Sequence, residues 1–105
     1  MKKVYLVHSL FPKLSYAKKI SKLVLEKKLA ACVNINTEIE SFFFWKKKFY
    51  NEKEIELSFK TSLLKLKKLI NFIEKNHPYE CPYIAAFHIE KVNKNYIDWV
   101  IEQTK

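Results

Sequence analysis

Ala30-Ala31-Cys32-Val33-Asn34-Ile35, Glu40-Ser41-Phe42-Phe43-Phe44-Trp45, Lys46-Lys47-Lys48 and Glu54-Ile55-Glu56-Leu57-Ser58-Phe59-Lys60-Thr61 form one ribbon, and its reading decides the fold. The return arm alternates, with Ile55, Leu57 and Phe59 on one side and Glu54, Glu56, Ser58 and Lys60 on the other. A period of two marks a strand with one buried face. The outgoing arm alternates at first, Ala31, Val33 and Ile35 against Cys32, Asn34 and Asn36, and then turns apolar on both faces from Phe42 to Trp45. A solvent-exposed hairpin does not tolerate a run of aromatics on both faces. The far end of the ribbon is therefore expected to be covered, and in so short a chain the cover is expected to be another subunit.

Outward from the ribbon, Lys3 to His8 reads as a first strand, with no long apolar run or small-residue cleavage site to mark a signal peptide. After Pro12, the residues Leu14, Ala17, Ile20, Leu23 and Val24 follow helical spacing, which predicts a helix over about 13–28. Thr61 or Ser62 can cap a second helix with the stripe Leu63, Leu66, Leu69, Ile70 and Ile73. That helix must stop by Asn76-His77, because Pro78 disfavours helical geometry in the residue before it. His77-Pro78-Tyr79-Glu80-Cys81-Pro82 is a stiff loop, Tyr83 to Ile89 a fourth strand, and Asn93 or Asn95 a cap for a terminal helix. The order β-α-β-β-α-β plus a last helix predicts an α+β fold. It is the ferredoxin-like four-stranded antiparallel sheet, with two helices on one face and right-handed crossovers. The terminal helix and other subunits are expected to cover the second face.

The 105 residues are read as one domain, long enough to bury about 65% of the unfolded surface without disulfides or metal. The net charge of +9 comes entirely from lysine, since the chain has no arginine. Arginine is the usual reader of phosphate forks and guanine edges. The charge therefore points to weak, salt-sensitive association and not to a specific nucleic-acid partner. No stretch has the length of a transmembrane helix, so no membrane partner is expected. Cys32 and Cys81 fit no zinc or thioredoxin spacing, and a cytoplasmic location is expected. Zero glycine obliges tight turns to use other residues, and it excludes glycine-dependent phosphate loops. No nucleophile–base pair or nucleotide fingerprint appears, so no catalysis is expected.

Five phrases carry a resemblance over nearly the whole chain. Lys27-Lys28-Leu29-Ala30-Ala31-Cys32-Val33-Asn34-Ile35 is similar to a family phrase E-K-L-A-A-C-V-N-I, and Glu40-Ser41-Phe42-Phe43-Phe44-Trp45 to E-S-x-Y-x-W. Lys60-Thr61 closes the third strand, His77-Pro78-Tyr79-Glu80-Cys81-Pro82 matches H-P-Y-E-x-P, and Tyr96-Ile97-Asp98-Trp99-Val100 resembles Y-L-x-W-I. In this order they resemble the CutA divalent-cation tolerance family. The resemblance implies a ferredoxin-like protomer, a tight homotrimer with ribbons paired across subunits, kinship of shape with PII signalling proteins, and binding of copper or another divalent cation. The family's ribbon turn W-x-G-K is here Trp45-Lys46-Lys47-Lys48. A cysteine and a histidine pair linked to copper in some relatives fall at Ser9, Asn76 and His77, so only the last is kept.

His77 and Cys81 share the stiff loop, and imidazole and thiolate both suit copper; a backbone-bonded histidine and a packed thiol are the plain readings. Trp45, Tyr79, Tyr96 and Trp99 are candidates for an inter-subunit cleft or for interface packing. Lys60 beside such a cleft would attract a small anionic ligand. Glu80 is a candidate ligand, with a surface salt bridge to a lysine as the plain reading. His8 and His88 are expected at opposite edges of the sheet, unable to share an ion within a protomer.

Overall fold

The structure, a computed structural model, describes residues 2–105. The elements are β1 (Val4–Phe11), α1 (Leu14–Glu26), β2 (Cys32–Trp45), β3 (Lys48–Ser62), α2 (Leu63–Asn76), β4 (Ile84–His88) and α3 (Lys94–Gln103). The strands form one antiparallel sheet in the order β2-β3-β1-β4. This is the ferredoxin-like α+β arrangement. β1 runs three residues past His8, because Ser9, Leu10 and Phe11 pair with Leu57, Glu56 and Ile55 and Phe11 is fully buried.

The alternation along β1 and β3 decides the layers. Val7 and Phe11 meet Leu57 and Phe59 on one face, where Ala17, Ile20 and Val24 of α1 and Leu69 and Ile73 of α2 close the core. The opposite, open face carries Leu6, His8 and Leu10 against Lys60, Ser58 and Glu56, flanked by Cys32, Asn34 and Asn36. Among the described residues α3 packs there, where Val100 and Thr104 are buried and the Thr104 hydroxyl donates to Ser62 Oγ at 2.8 Å. The expected cap Ser62 does precede α2, but its side chain makes no capping hydrogen bond.

His8 and His88 are not at opposite edges of the sheet. β1 and β4 are neighbours, with His8 opposite Ala85 and His88 opposite Tyr5. An odd offset of three register positions puts the two rings on opposite faces, roughly 10 Å apart along the strands.

Two local devices shape the ribbon. Trp45-Lys46-Lys47-Lys48 closes it with a two-residue turn in which Lys46 and Lys47 both have positive φ, 50° and 67°. Such primed turns match the twist of a hairpin and favour glycine or asparagine. Further back, Asn36 pairs with Glu56 but Ile39 pairs with Glu54, so β2 carries one extra residue. The Asn36 side chain holds this bulge by accepting the Glu38 N–H at 3.0 Å. The bulge exchanges the faces beyond it. Ser41, Phe43 and Trp45 continue on the open face, and Phe42 and Phe44 turn to the helix side.

A third positive φ sits at Lys28, 58°, just past α1. The Leu29 N–H donates to the Val24 carbonyl and the Lys28 N–H to the Leu25 carbonyl, both at 3.0 Å. These are the paired bonds of a Schellman stop, with buried Leu29 beside buried Val24.

Candidate functional site

The ribbon end and the loop after α2 face each other across a cavity of about 560 Å³. Phe43, Trp45, Tyr50 and Tyr83 form its aromatic walls; Tyr79, Glu80 and Cys81 come from the loop, and Glu52 and Glu54 from β3. Phe43 and Tyr50 stack at 5.3 Å and 11°, as expected of directly opposed residues. Three of the chain's eleven acidic residues line this cavity against one lysine, Lys53. In a chain of net charge +9 this is a local reversal of sign.

Glu54 anchors the site. It is only 6% exposed, and its Oε2 accepts the Tyr79 hydroxyl at 2.7 Å. Burial, and then this bond and the charge of Glu54, push the Tyr79 phenol well above its ordinary value, so it stays a donor. Glu80 lies on the rim, 3.6 Å from Lys46 Nζ, with both side chains largely exposed. Such a pair contributes little to stability.

His77 lies under the loop and not on the cavity wall. Its Nε2 donates to the Leu10 carbonyl at 2.8 Å, and its Nδ1 accepts the Tyr79 N–H at 3.1 Å. Both ring nitrogens are thus engaged in the neutral form, and the ring stacks on Phe11 at 4.3 Å and 19°. Burial lowers its pKa from the ordinary 6.5, against smaller upward pulls from the Leu10 carbonyl and Glu54. His77 therefore locks the loop to β1 and aims Tyr79 at Glu54. Cys81 is free and exposed on the cavity side.

Lys60, Tyr96 and Trp99 do not line this cavity. They gather at the α3 end of the open face, roughly 20 Å away along β3 from Glu54. Lys60 lies opposite Cys32 and donates to Asn34 Oδ1 at 2.8 Å. Tyr96 stands next to Trp99 at 5.5 Å, and burial raises its phenol pKa, with Cys32 beside it adding to the shift. Trp45, Tyr79 and Glu80 thus share one cleft, and Lys60, Tyr96 and Trp99 share another patch. Phe43, Tyr50, Glu52 and Glu54 are the members that sequence reasoning missed. The charged alternation Glu52, Glu54 opposite an aromatic strand was the available signal.

The donors of one chain do not close a coordination sphere. Among the described residues, no three His, Cys, Asp or Glu side chains converge as metal ligands would. The positions linked to copper in some relatives are turned to structural use. The Ser9 hydroxyl donates to the Tyr83 carbonyl at 2.8 Å, the Asn76 amide donates to the Phe72 carbonyl at 2.8 Å, and the Asn76 carbonyl accepts the Tyr16 hydroxyl. Among the described residues, no helix is long and apolar enough to cross a membrane.

Comparison with known proteins agrees with this architecture. The CutA of Thermotoga maritima, a divalent-cation tolerance protein, is 40% identical over 97 residues, covering 92% of this chain and 95% of that one. The crystal structure of the divalent ion tolerance protein CutA1 from Ehrlichia chaffeensis superposes with a TM-score of 0.95 at 32% identity, covering 100% of this chain and 98% of that one. The structure described as the periplasmic divalent cation tolerance protein CutA from Archaeoglobus fulgidus gives a TM-score of 0.91 at 36% identity, covering 97% and 99%. The sequence pattern of the family described as CutA1 divalent ion tolerance protein matches residues 5–103, and the chain belongs to that family.

Proposed function

We propose that the protein is a non-catalytic homotrimer that binds a divalent cation, copper included, and supports tolerance to it by sequestration or sensing. The observation that carries this reading is the acidic cavity in a basic chain. Glu52, Glu54 and Glu80 with the Cys81 thiol offer carboxylate and sulfur donors, a mixed set that suits copper or zinc. Since one chain does not close the coordination sphere, the ion is held as a hydrated cation by charge, or its sphere is completed by another copy. The open sheet face, half clothed by α3, and the aromatic ribbon end support self-association. Two free cysteines suit the cytoplasm.

Calorimetric titration of Cu(II), and of Cu(I) under reductant, tests this reading on wild type, Glu52→Gln/Glu80→Gln and His77→Ala, with mass followed by light scattering. Saturable uptake at a fixed ratio per trimer is expected, weakened about tenfold by the glutamine pair. His77→Ala should bind nearly as well, because its ring nitrogens serve the loop. Weak, non-stoichiometric uptake would refute cation binding, and a monomer mass would refute the trimer. A second reading, a PII-like sensor of a small anion, is favoured only by half-buried Lys60 beside Tyr96 and Trp99. It predicts that anionic metabolites, and not metals, raise the melting temperature.

A further inference from the structure

The positive charge of the chain is gathered on its helix layer. Residues 13–28, which hold α1 and its caps, and α2 carry ten lysines against two acidic residues, Glu26 and Glu74, a net of +8 out of the chain's +9. The remainder of the chain holds ten lysines against nine acids. A general surplus of lysine would not by itself clear the acids from one layer. Lys18, Lys19 and Lys22 are exposed on α1, away from buried Ala17, Ile20 and Val24. Lys67, Lys68 and Lys75 are exposed on α2, away from buried Leu69 and Ile73. The Tyr16 hydroxyl on the Asn76 carbonyl, and the Lys27 ammonium 5.8 Å from the Phe72 ring centre, hold the two helices side by side. Among the described residues, the lysines engaged in ion pairs are Lys2, Lys46, Lys94 and Lys105, none of them on this layer.

We propose that this helix layer binds the phosphate backbone of double-stranded nucleic acid, without regard to sequence. Lysine meets phosphate as a point charge, and with no arginine in the chain the layer lacks the usual reader of guanine edges. A duplex carries one charge per about 1.7 Å of axis, so lysines spread over two helices all find phosphates. An acidic peptide offers at most one charge per about 3.3 Å. A single strand fits less well, because it is held by stacking on exposed rings. Tyr16 and Phe72, the aromatic residues of these helices, are half-buried. A bilayer also fits less well, since peripheral attachment seats an apolar face beside the basic one. Here the exposed leucines, Leu14, Leu25, Leu63 and Leu64, lie in the first and last turns of the helices. A second copy of the layer would be repelled by its own sign of charge. Copies that meet through the open sheet face leave the layer outward. The binding is independent of what the acidic cavity holds.

Fluorescence anisotropy of a labelled mixed-sequence DNA duplex, titrated with the full chain over a series of salt concentrations, tests this. Wild type is compared with Lys18→Gln/Lys22→Gln on α1 and with Lys67→Gln/Lys68→Gln on α2. The control Lys91→Gln/Lys105→Gln removes the same charge outside the layer. Glutamine matches lysine in helix propensity, so the helices should persist. With six phosphate contacts, wild type should lose about 10³-fold in affinity between about 50 and 200 mM salt. Each helix variant should lower the slope of log affinity against log salt by about 2, and the control should leave it unchanged. A second duplex of unrelated sequence should bind equally. Absence of binding at about 50 mM salt overturns the proposal. So does an equal fall of slope in the control, which would be the attraction of the whole chain and not of one layer. Tighter binding of the matching single strand, or of phosphatidylserine vesicles at equal salt, overturns it in favour of those partners. Polyglutamate displacing the duplex as well as unlabelled duplex does, at equal charge, also overturns it.

Discussion

Lys28→Gly should stabilise this protein, and the size of the gain follows from one dihedral angle. Lys28 closes α1 at φ 58°, in the left-handed region, as the residue that the Schellman stop ordinarily gives to glycine. A residue with a Cβ loses about 1–2 kcal/mol there. Glycine avoids that loss but brings about 0.5–1 kcal/mol of extra freedom to the unfolded chain. The net expectation is a gain of about 0.5–1 kcal/mol. The Lys28 side chain is exposed, so little packing is lost. Urea unfolding at fixed protein concentration measures the effect, as a higher midpoint with an unchanged slope. Lys28→Ala is the decisive control. It removes the same charge and keeps the Cβ, and its midpoint should stay near wild type. If alanine gained as much as glycine, relief of charge repulsion and not backbone geometry would be the cause. A lower midpoint for glycine would refute the reasoning outright. Lys47→Gly, at φ 67° in the ribbon turn, should add a similar amount independently.

Two further outcomes follow from the loop. Tyr79→Phe removes the one hydroxyl that hydrogen-bonds the nearly buried Glu54 and should cost about 1.5–3 kcal/mol; in the Glu54→Gln background the cost should shrink, and an additive cycle would show that the pair is not coupled. His77 has a folded pKa below its ordinary 6.5, so on acidification the unfolded chain takes up its proton first. Its contribution to stability is complete above about pH 6.5 and is lost as pH falls toward the lowered value. His77→Gln should flatten the fall in urea midpoint on the acid side of neutrality relative to wild type, and an unchanged slope would mean that His77 carries none of it.

Much of the architecture was legible because burial writes directly into period. The alternation of Ile55, Leu57 and Phe59 and the helical stripes of both crossovers gave the layers and their order. The site was legible only in part. Trp45, Tyr79 and Glu80 do meet, but Lys60 lies six positions from Glu54 on the same strand, and no local pattern reports that distance. The Tyr79–Glu54 bond joins residues 25 apart in sequence, and only the folded register brings them together. The plain reading of His77 as a backbone-bonded loop histidine matches its place under β1, which depends on Leu10 and Phe11. The bulge was hidden as well. Its only trace is Asn36, a residue able to bond its own backbone two positions on.

That extra residue has a consequence for how the protein tolerates insertions and deletions. Beyond it, the ribbon's phase is opposite to what an unbroken strand would give. Deleting Thr37 alone would remove the extra residue and leave an unbroken strand with the same partners beyond it, Ile39 opposite Glu54 and Phe43 opposite Tyr50, so Phe43 and Trp45 would stay on the cavity side. Losing the bulge while keeping every residue is what would turn the tip over: Phe42 would then lie opposite Tyr50, over the acidic cavity, and the two surfaces would trade places. The one extra residue between Asn36 and Ile39, more than the identity of any one ring, sets which side of this ribbon each ring takes.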